Sequence, residues 1–303
     1  MPVFERTVNF FTALGIEGIQ AVEYNKNMYA FGGFNGAVYS GATFFSPNGQ
    51  DVSVVNANND ATSFTARAHH RGVVHDGRIA LVGGYNGVAA FSDVWLYDNG
   101  WTRVCTNFGR ALFGHALYSY DNRLFVVGGT DGTNEYGECW ASYDGTNWRQ
   151  LVSGYSLLQR AFAGYCVYDN KMWLIGGWDG AAAISDCYCS VNGITWERQE
   201  LPADFPALLG HTVTVFDNKM VLIGGGTAYS QRAISGVGGN LWYSFHGAEW
   251  IRGADDLEFS RAFHAAFAYT DKQRLVVSCG TDGTNRYADI WQTRGCEFLT
   301  RAW

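Results

Sequence analysis

Short apolar runs alternate with two-residue polar turns along this chain, and the alternation keeps returning. Six runs stand out: Met28-Tyr29-Ala30-Phe31, Ile79-Ala80-Leu81-Val82, Leu124-Phe125-Val126-Val127, Met172-Trp173-Leu174-Ile175, Met220-Val221-Leu222-Ile223 and Leu275-Val276-Val277-Ser278. Continuous apolar runs of this length predict strands buried on both faces. Just upstream of each lies a polar pair: Asn25-Lys26, Asp76-Gly77, Asp121-Asn122, Asp169-Asn170, Asp217-Asn218 and Asp271-Lys272. Asp, Asn and Gly tolerate positive φ, so each pair predicts a two-residue hairpin turn. A further strand precedes each turn, as in Gly114 to Tyr120 and Gly210 to Phe216.

Every apolar run ends on the same punctuation. Glycine pairs stand at Gly32-Gly33, Gly83-Gly84, Gly128-Gly129, Gly176-Gly177 and Gly224-Gly225, with Cys279-Gly280 as a sixth, altered copy. The steps between copies are 51, 45, 48, 48 and 55 residues. A period of about 50 residues marks a repeat architecture. Eleven residues past the second glycine an aromatic returns as Phe44, Trp95, Trp140, Tyr188 and Trp291, while unit five reaches Trp242 six residues late through a longer loop. A turn and a second aromatic follow at Trp101, Trp148, Trp196, Trp250 and Phe298. Each unit therefore reads strand, turn, strand, glycine pair, loop, strand, turn, strand. Four antiparallel strands per unit predict a propeller blade, and the chain is expected to be an all-β, six-bladed propeller in one domain. The expected blades run about 12–55, 66–105, 110–152, 160–201, 206–252 and 261–303, with 3–10 as a closing strand.

This order of Arg-x-x-His, Asp-Gly or Asp-Asn turn, apolar strand, Gly-Gly, Trp and second Trp resembles the kelch repeat over nearly the whole chain. The resemblance implies six blades for a chain of this size. The histidine of that pattern stands thirteen before the first glycine as His70, His115 and His211, while the other units place Ile19, Ala163 and Ala266 there. The outer hairpins Ser142 to Trp148, Ser190 to Trp196 and Ser244 to Trp250 are similar to the Asp-box of sialidase-like propellers, one residue short, which is a structural hairpin.

Closure is readable at the ends. Phe4-Glu5-Arg6-Thr7 stands fourteen before Gly18, as Trp196-Glu197-Arg198-Gln199 stands fourteen before Gly210. The N-terminal segment is therefore expected to join the last blade as its outermost strand, which removes the loose sheet edges. Residues 297–301 read as a strand that competes for the same place.

Charge and composition exclude several function classes. The net charge is −7 and no cluster of Lys and Arg occurs, which argues against nucleic-acid binding, since that requires phosphate neutralisation. No run of some 18 apolar residues suggests a membrane span. Seven scattered cysteines, an odd number, read as small buried thiols in a reducing setting rather than as a disulfide framework. With no basic-then-apolar leader at the N-terminus, a cytoplasmic location is expected.

Candidate chemistry collects on one face, where the loops after the glycine pairs meet the loops between units. Tyr85, Asp131, Trp178, Asp179, Tyr229, Arg232, Asp282 and Arg286 lie on these loops. They could present aromatic platforms with amide and carboxylate partners, or simply form Asx-Gly turns with aromatics packed between blades. Arg67, Arg110, Arg160 and Arg261 each open an Arg-Ala step before an inner strand. The kelch resemblance implies that such arginines lie at the mouth of the central channel. Several guanidinium groups there would suit an acidic peptide or a carboxylate, and the alternative is a structural bond to loop carbonyls.

His70, His115 and His211 are the weaker, metal-binding candidates, because imidazoles around a channel could ligate an ion. No catalytic set is assembled and no cofactor is expected. Gly-x-Ser-x-Gly, phosphate-loop and His-Glu-x-x-His signatures are missing from the sequence. The leading expectation is a non-enzymatic binding module for a protein or peptide, with a glycan as a further ligand class. Two alternatives stay open. One is a carbohydrate-active enzyme of the sialic-acid mutarotase or galactose-oxidase type, both kelch-like. The other is a structural part of an oligomer or larger assembly.

Overall fold

A computed structural model describes residues 4–9, 15–49, 51–57, 63–230, 232–253 and 257–293. Phe298 and the expected strand at 297–301 lie outside the described residues. Strand β1 (Phe4–Asn9) comes first. Blade one is β2 (Gln20–Tyr24), β3 (Asn27–Phe31), β4 (Thr43–Ser46) and β5 (Ser53–Asn56). Blade two is β6 (Arg71–His75), β7 (Arg78–Val82), β8 (Val94–Tyr97) and β9 (Trp101–Cys105). Blade three is β10 (Ala116–Tyr120), β11 (Arg123–Val127), β12 (Cys139–Ser142) and β13 (Arg149–Val152). Blade four is β14 (Gly164–Tyr168), β15 (Lys171–Ile175), β16 (Cys187–Ser190) and β17 (Glu197–Gln199).

Blade five is β18 (Thr212–Phe216) and β19 (Lys219–Ile223), then a two-stranded hairpin of β20 (Ala228–Ser230) and β21 (Ala233–Ser235), then β22 (Leu241–Ser244) and β23 (Ile251–Arg252). Blade six is β24 (Ala265–Tyr269), β25 (Arg274–Ser278) and β26 (Asp289–Thr293), and β1 pairs antiparallel with β26 as its fourth strand. The ring is thus a six-bladed, all-β propeller closed by the N-terminal strand, as the sequence pattern predicts.

The core is divided among the blade interfaces. Phe31, Ile79, Leu81 and Trp101 pack between blades one and two. Val82, Leu96, Leu117 and Val126 fill the next interface, and Phe125, Met172, Leu174 and Trp196 the one after. Trp173, Leu222, Trp242 and Trp250 join blades four and five. Val221, Ile223, Leu275 and Val277 join blades five and six, and Met28, Ala30, Phe267 and Val276 complete the circle. A blade buries its apolar faces only against its neighbours, so stability belongs to the ring and not to the unit.

Two circuits of backbone hydrogen bonds bind the blades at the axis. In the first, the second glycine of each blade donates to the next blade: Gly33 to Arg67, Gly84 to Leu112, Gly129 to Arg160, Gly177 to Leu208, Gly225 to Arg261 and Gly280 to Ile16, all at 2.7–2.8 Å. In the second, Gly18, His69, Gly114, Phe162, Gly210 and Phe263 form a closed ring in which each N–H donates to the carbonyl of the previous blade at 2.7–2.9 Å. All six residues of this ring have φ between 53° and 67°. Glycine and a ring-bearing residue alternate around it. A Cβ at Gly18, Gly114 or Gly210 would stand 2.9, 2.7 and 2.8 Å from the side chains of His69, Phe162 and Phe263, so every second position must be bare.

Two details of register differ from the sequence reading. The turn expected at Asp271-Lys272 is longer: a 3-10 turn over Thr270–Lys272 followed by Gln273 at φ 49° connects β24 to β25. The two extra residues move the histidine register. The Cβ of His264 stands 2.8 Å from where a Gly280 Cβ would lie, as His70, His115 and His211 stand 2.8–2.9 Å from the matching points of Gly84, Gly129 and Gly225. His264, rather than Ala266, is therefore the equivalent residue of blade six. The altered pair at Cys279 also has a different neighbour. Imidazoles of the following blade crowd Gly32, Gly83, Gly176 and Gly224 at 2.2–3.2 Å from a built Cβ. The blade that follows Cys279 supplies Ile19, so no imidazole crowds that position.

Gly77 and Gly114 separate backbone strain from crowding, since both have φ near +65° but only Gly114 faces a ring. Gly77→Ala should cost about 1–2 kcal/mol, the penalty for a Cβ in the left-handed region. Gly114→Ala should cost a further ~1–3 kcal/mol for overpacking against Phe162. Urea unfolding of the two variants checks this, and equal losses would rule out the crowding argument.

Candidate binding face and central channel

The axial ring forms a plug. The side chains of its three ring-bearing members converge, with His69 4.8 Å from Phe263, Phe162 5.0 Å from Phe263 and His69 5.4 Å from Phe162, centroid to centroid. Phe113, Tyr85, Tyr229, Leu209 and Ile234 pack onto them. The plug separates the loop face from the central channel beneath it.

On the loop face the hairpin β20–β21 reaches over the mouth. Tyr229 packs on Phe162 at 5.2 Å and on Trp178 at 6.0 Å. Arg232, at φ 64°, donates to the hydroxyl of Tyr85 and lies 4.5 Å above that ring. One loop of blade five is thereby tied to blade two, across the axis. The aromatics of this face are engaged with one another: Phe34 stacks on Tyr39 at 4.5 Å and Tyr85 lies 5.0 Å from Phe113. Trp178 and Tyr229 remain half-buried, and Arg232 is exposed.

The acidic residues of the loops build the loops. Oδ1 of Asp131 accepts the N–H groups of Thr133 and Asn134, that of Asp179 those of Ala181 and Ala182, and that of Asp282 those of Thr284 and Asn285. The other carboxylate oxygens of Asp131 and Asp282 accept the hydroxyls of Tyr136 and Tyr287. Burial alone would raise the Asp282 carboxyl, but these hydrogen bonds outweigh it and hold the group well below the carboxylate range. Asp131, Asp179 and Asp282 are therefore fixed turn-formers, and of the three Asp179 is the exposed one. Arg286 pairs with the buried Glu17 at 2.8 Å and lies 5.1 Å from the Phe34 ring.

The arginines before the inner strands are held by carboxylates of their own blades. Arg67 reaches Asp93 at 2.5 and 3.0 Å and donates to the Gly83 carbonyl at 2.8 Å. Arg160 repeats the pattern with Asp186 and Gly176, and Arg261 reaches both oxygens of Asp289 at 2.9–3.0 Å. Their side chains are 0, 4 and 5% exposed, so their charge is neutralised inside the fold. Arg110 pairs with Glu138 but stays 37% exposed, which leaves part of its guanidinium at the surface. Sequence reading missed the carboxylate partners because they lie 26–28 residues downstream, past the glycine pair. Blade five has lost both members together. There Leu208 is buried, and the amide of Asn240 donates to the Gly224 carbonyl at 3.3 Å in place of the guanidinium.

His70, His115, His211 and His264 sit one per blade, each against its own blade interface. No group of three or more His, Cys, Asp or Glu suited to a metal occurs among the described residues. Burial pushes His115 and His264 down to about 3 and His211 to about 4, and it holds His70 well below its ordinary value. His69 in the plug is pushed to about 3, by burial first and then by the charge of Arg71. All five are neutral packing groups at physiological pH.

Comparison with known proteins places the chain. The KLHDC2/KLHL20/DRC7 Kelch-repeats domain matches residues 18–225, more than half of the sequence. The spermatocyte protein spe-26 of Caenorhabditis elegans is 26% identical over 135 residues, covering 43% of this chain and 24% of that protein. The match thus spans about a quarter of that relative's length. No helix among the described residues is long and apolar enough to cross a membrane. The chain belongs to the kelch-repeat β-propeller family, and that family suggests a protein-binding module.

The arginine pairs and the buried histidines each make a measurable claim. Asp186→Ala leaves Arg160 buried without its counter-charge and should cost ~3–5 kcal/mol. The double variant Arg160→Leu/Asp186→Asn, which copies blade five, should regain most of that loss in urea unfolding. A double variant no better than Asp186→Ala would show that the pair does more than neutralise itself.

The histidines predict acid lability. Their folded pKa values are depressed, so between pH 6.5 and about 4 the unfolded chain binds protons that the native state does not. Stability therefore falls as pH drops below 6.5, by up to about 1.4 kcal/mol per pH unit for each histidine. A urea midpoint that stays level from pH 7.5 to 5.0 would contradict this.

Proposed function

We propose that this chain is a non-enzymatic module that binds a partner protein or peptide on its loop face. One observation carries the reading: the mouth of the channel on that face is filled by Phe162, Phe263, His69 and Tyr229 and bridged by Arg232. A filled centre with exposed loop tips suits a broad protein surface better than a small recessed ligand. Val38 is 56% exposed and Val88 89%. They lie on the loops of neighbouring blades, beside the Tyr39–Tyr85 ring pair. Arg232 stands beside them, on the Tyr85 ring of the same blade-two loop. A sugar would need free aromatic faces, and Phe34, Tyr85 and Tyr229 are packed against other rings.

A second surface competes for the same role. At the opposite rim, the outer hairpins of blades three, four and five leave Tyr143, Val191, Ile194 and Phe245 51–68% exposed. Apolar side chains in series on three consecutive blades are a recognised mark of a contact surface.

Parallel affinity capture separates the two. Val38→Asp/Val88→Asp should lower retention of the partners held by the wild-type chain by about tenfold or more, as expected for central contacts, while Tyr143→Ser/Phe245→Ser leaves it unchanged. The reverse pattern assigns binding to the hairpin rim. Unchanged retention by both variants, with folding verified by circular dichroism, would defeat the loop-face reading.

A further inference from the structure

Below the plug the inner strands enclose a cavity of about 430 Å³, within the range of small-molecule sites of roughly 300–1,000 Å³. It extends from His211 and His264, just under the axial ring, to Glu23, Ser119 and Ala268 near the turns. Its walls are mainly small and apolar, as with Val73, Val167, Val215 and Ala266. Two charged residues line it. Glu23 stands at the turn end, where its carboxylate accepts the N–H of Thr270 at 3.0 Å and the hydroxyl of the same residue. The other is Arg71.

Arg71 is placed unlike the arginines of the blade mouths. It starts on blade two, its Nε donates to the carbonyl of His115 on blade three at 2.7 Å, and its guanidinium carbon lies 5.3 Å from the Tyr165 ring of blade four. Its side chain lines the lumen. No carboxylate among the described residues forms an ion pair with it. The fold does not ask for a cation at this position. The residues that open the other inner strands are Gln20, Ala116, Gly164, Thr212 and Ala265, all neutral. A half-buried guanidinium without a counter-charge opposes its own burial, and its fork of donors matches a carboxylate.

We propose that the central channel is a second binding site, which takes a small organic carboxylate with a flat apolar body. The carboxylate accepts from the terminal nitrogens of Arg71. The body lies along the Tyr165 ring and the valine and alanine walls. A single cation and apolar walls favour a monoanion of this kind over phosphate, whose two charges would call for more donors. The site is separated from the loop face by the aromatic plug, so it stands or falls independently of partner binding there.

Calorimetric titration with benzoate as probe, against benzamide and inorganic phosphate at matched ionic strength, tests the assignment. Benzoate should bind the full chain with Kd on the order of 1 mM or tighter, and benzamide and phosphate should show no saturable binding. Arg71→Gln should remain as stable as the wild type and bind benzoate about tenfold or more weaker. Thr214→Phe, which narrows the lumen and leaves Arg71 in place, should weaken binding to the same degree. Benzamide binding equal to benzoate, phosphate binding as tight, or undiminished binding by Arg71→Gln would each overturn the proposal. If Arg71→Gln fails to fold, Thr214→Phe decides, and binding that survives the obstruction would overturn it.

Discussion

The constraint on which this propeller depends is the axial circuit of six left-handed residues. A propeller could close merely by pairing its first and last strands, but strand pairing acts at the perimeter. At the axis, six chains must pass one another within hydrogen-bonding distance, and the ring of Gly18, His69, Gly114, Phe162, Gly210 and Phe263 achieves it with one bond per blade. The left-handed conformation costs each non-glycine member about 1–2 kcal/mol. A hydrogen bond in a buried setting and the stacking of the three rings offset that cost. The alternation follows from space, because a ring on every blade would place each Cβ against its neighbour's aromatic face.

The axial circuit also explains which parts of the sequence were readable. The glycine pairs, the apolar runs and the Asx turns repeat once per blade, so their period exposes them, and the strand order and closure by β1 follow. The plug repeats once per two blades. His69, Phe162 and Phe263 each look like one more apolar or histidine residue beside a strand, and nothing local marks them as a set. The carboxylates that hold the arginines are harder still. Asp93, Asp186 and Asp289 sit beyond the glycine pair, and only the parallel disappearance of both partners in blade five, as Leu208 and Asn240, reveals them as pairs. The misplaced register at Ala266 has the plainest cause, since counting back from a glycine assumes a constant turn length and the 270–273 turn breaks it.

The loop face illustrates how residue types can suggest recognition while the geometry gives them another task. Asp131 and Asp282 are ionised and near the rim, yet their lone pairs are directed at the backbone of their own loops and at Tyr136 and Tyr287. Arg67, Arg160 and Arg261 sit where a channel mouth would display them, yet their guanidinium groups are saturated by carboxylates and glycine carbonyls. What remains exposed on this face is the periphery: loop tips, Arg232, part of Arg110 and Asp179.

Arg71 is the exception that gives the interior a meaning of its own. In the other arginines of the axis, charge and counter-charge are encoded together, and where one is lost the other goes with it. Arg71 breaks that rule. It extends into a lumen whose equivalent positions are neutral, and its field adds to the burial that keeps His69, His70, His115 and His211 unprotonated. Its Nε spans blades two and three through the His115 carbonyl, but its charge has no counter-charge among the described residues and so opposes its own burial in the empty propeller. An anion in the channel would offset that cost, so occupancy of the lumen and the stability of the ring are linked.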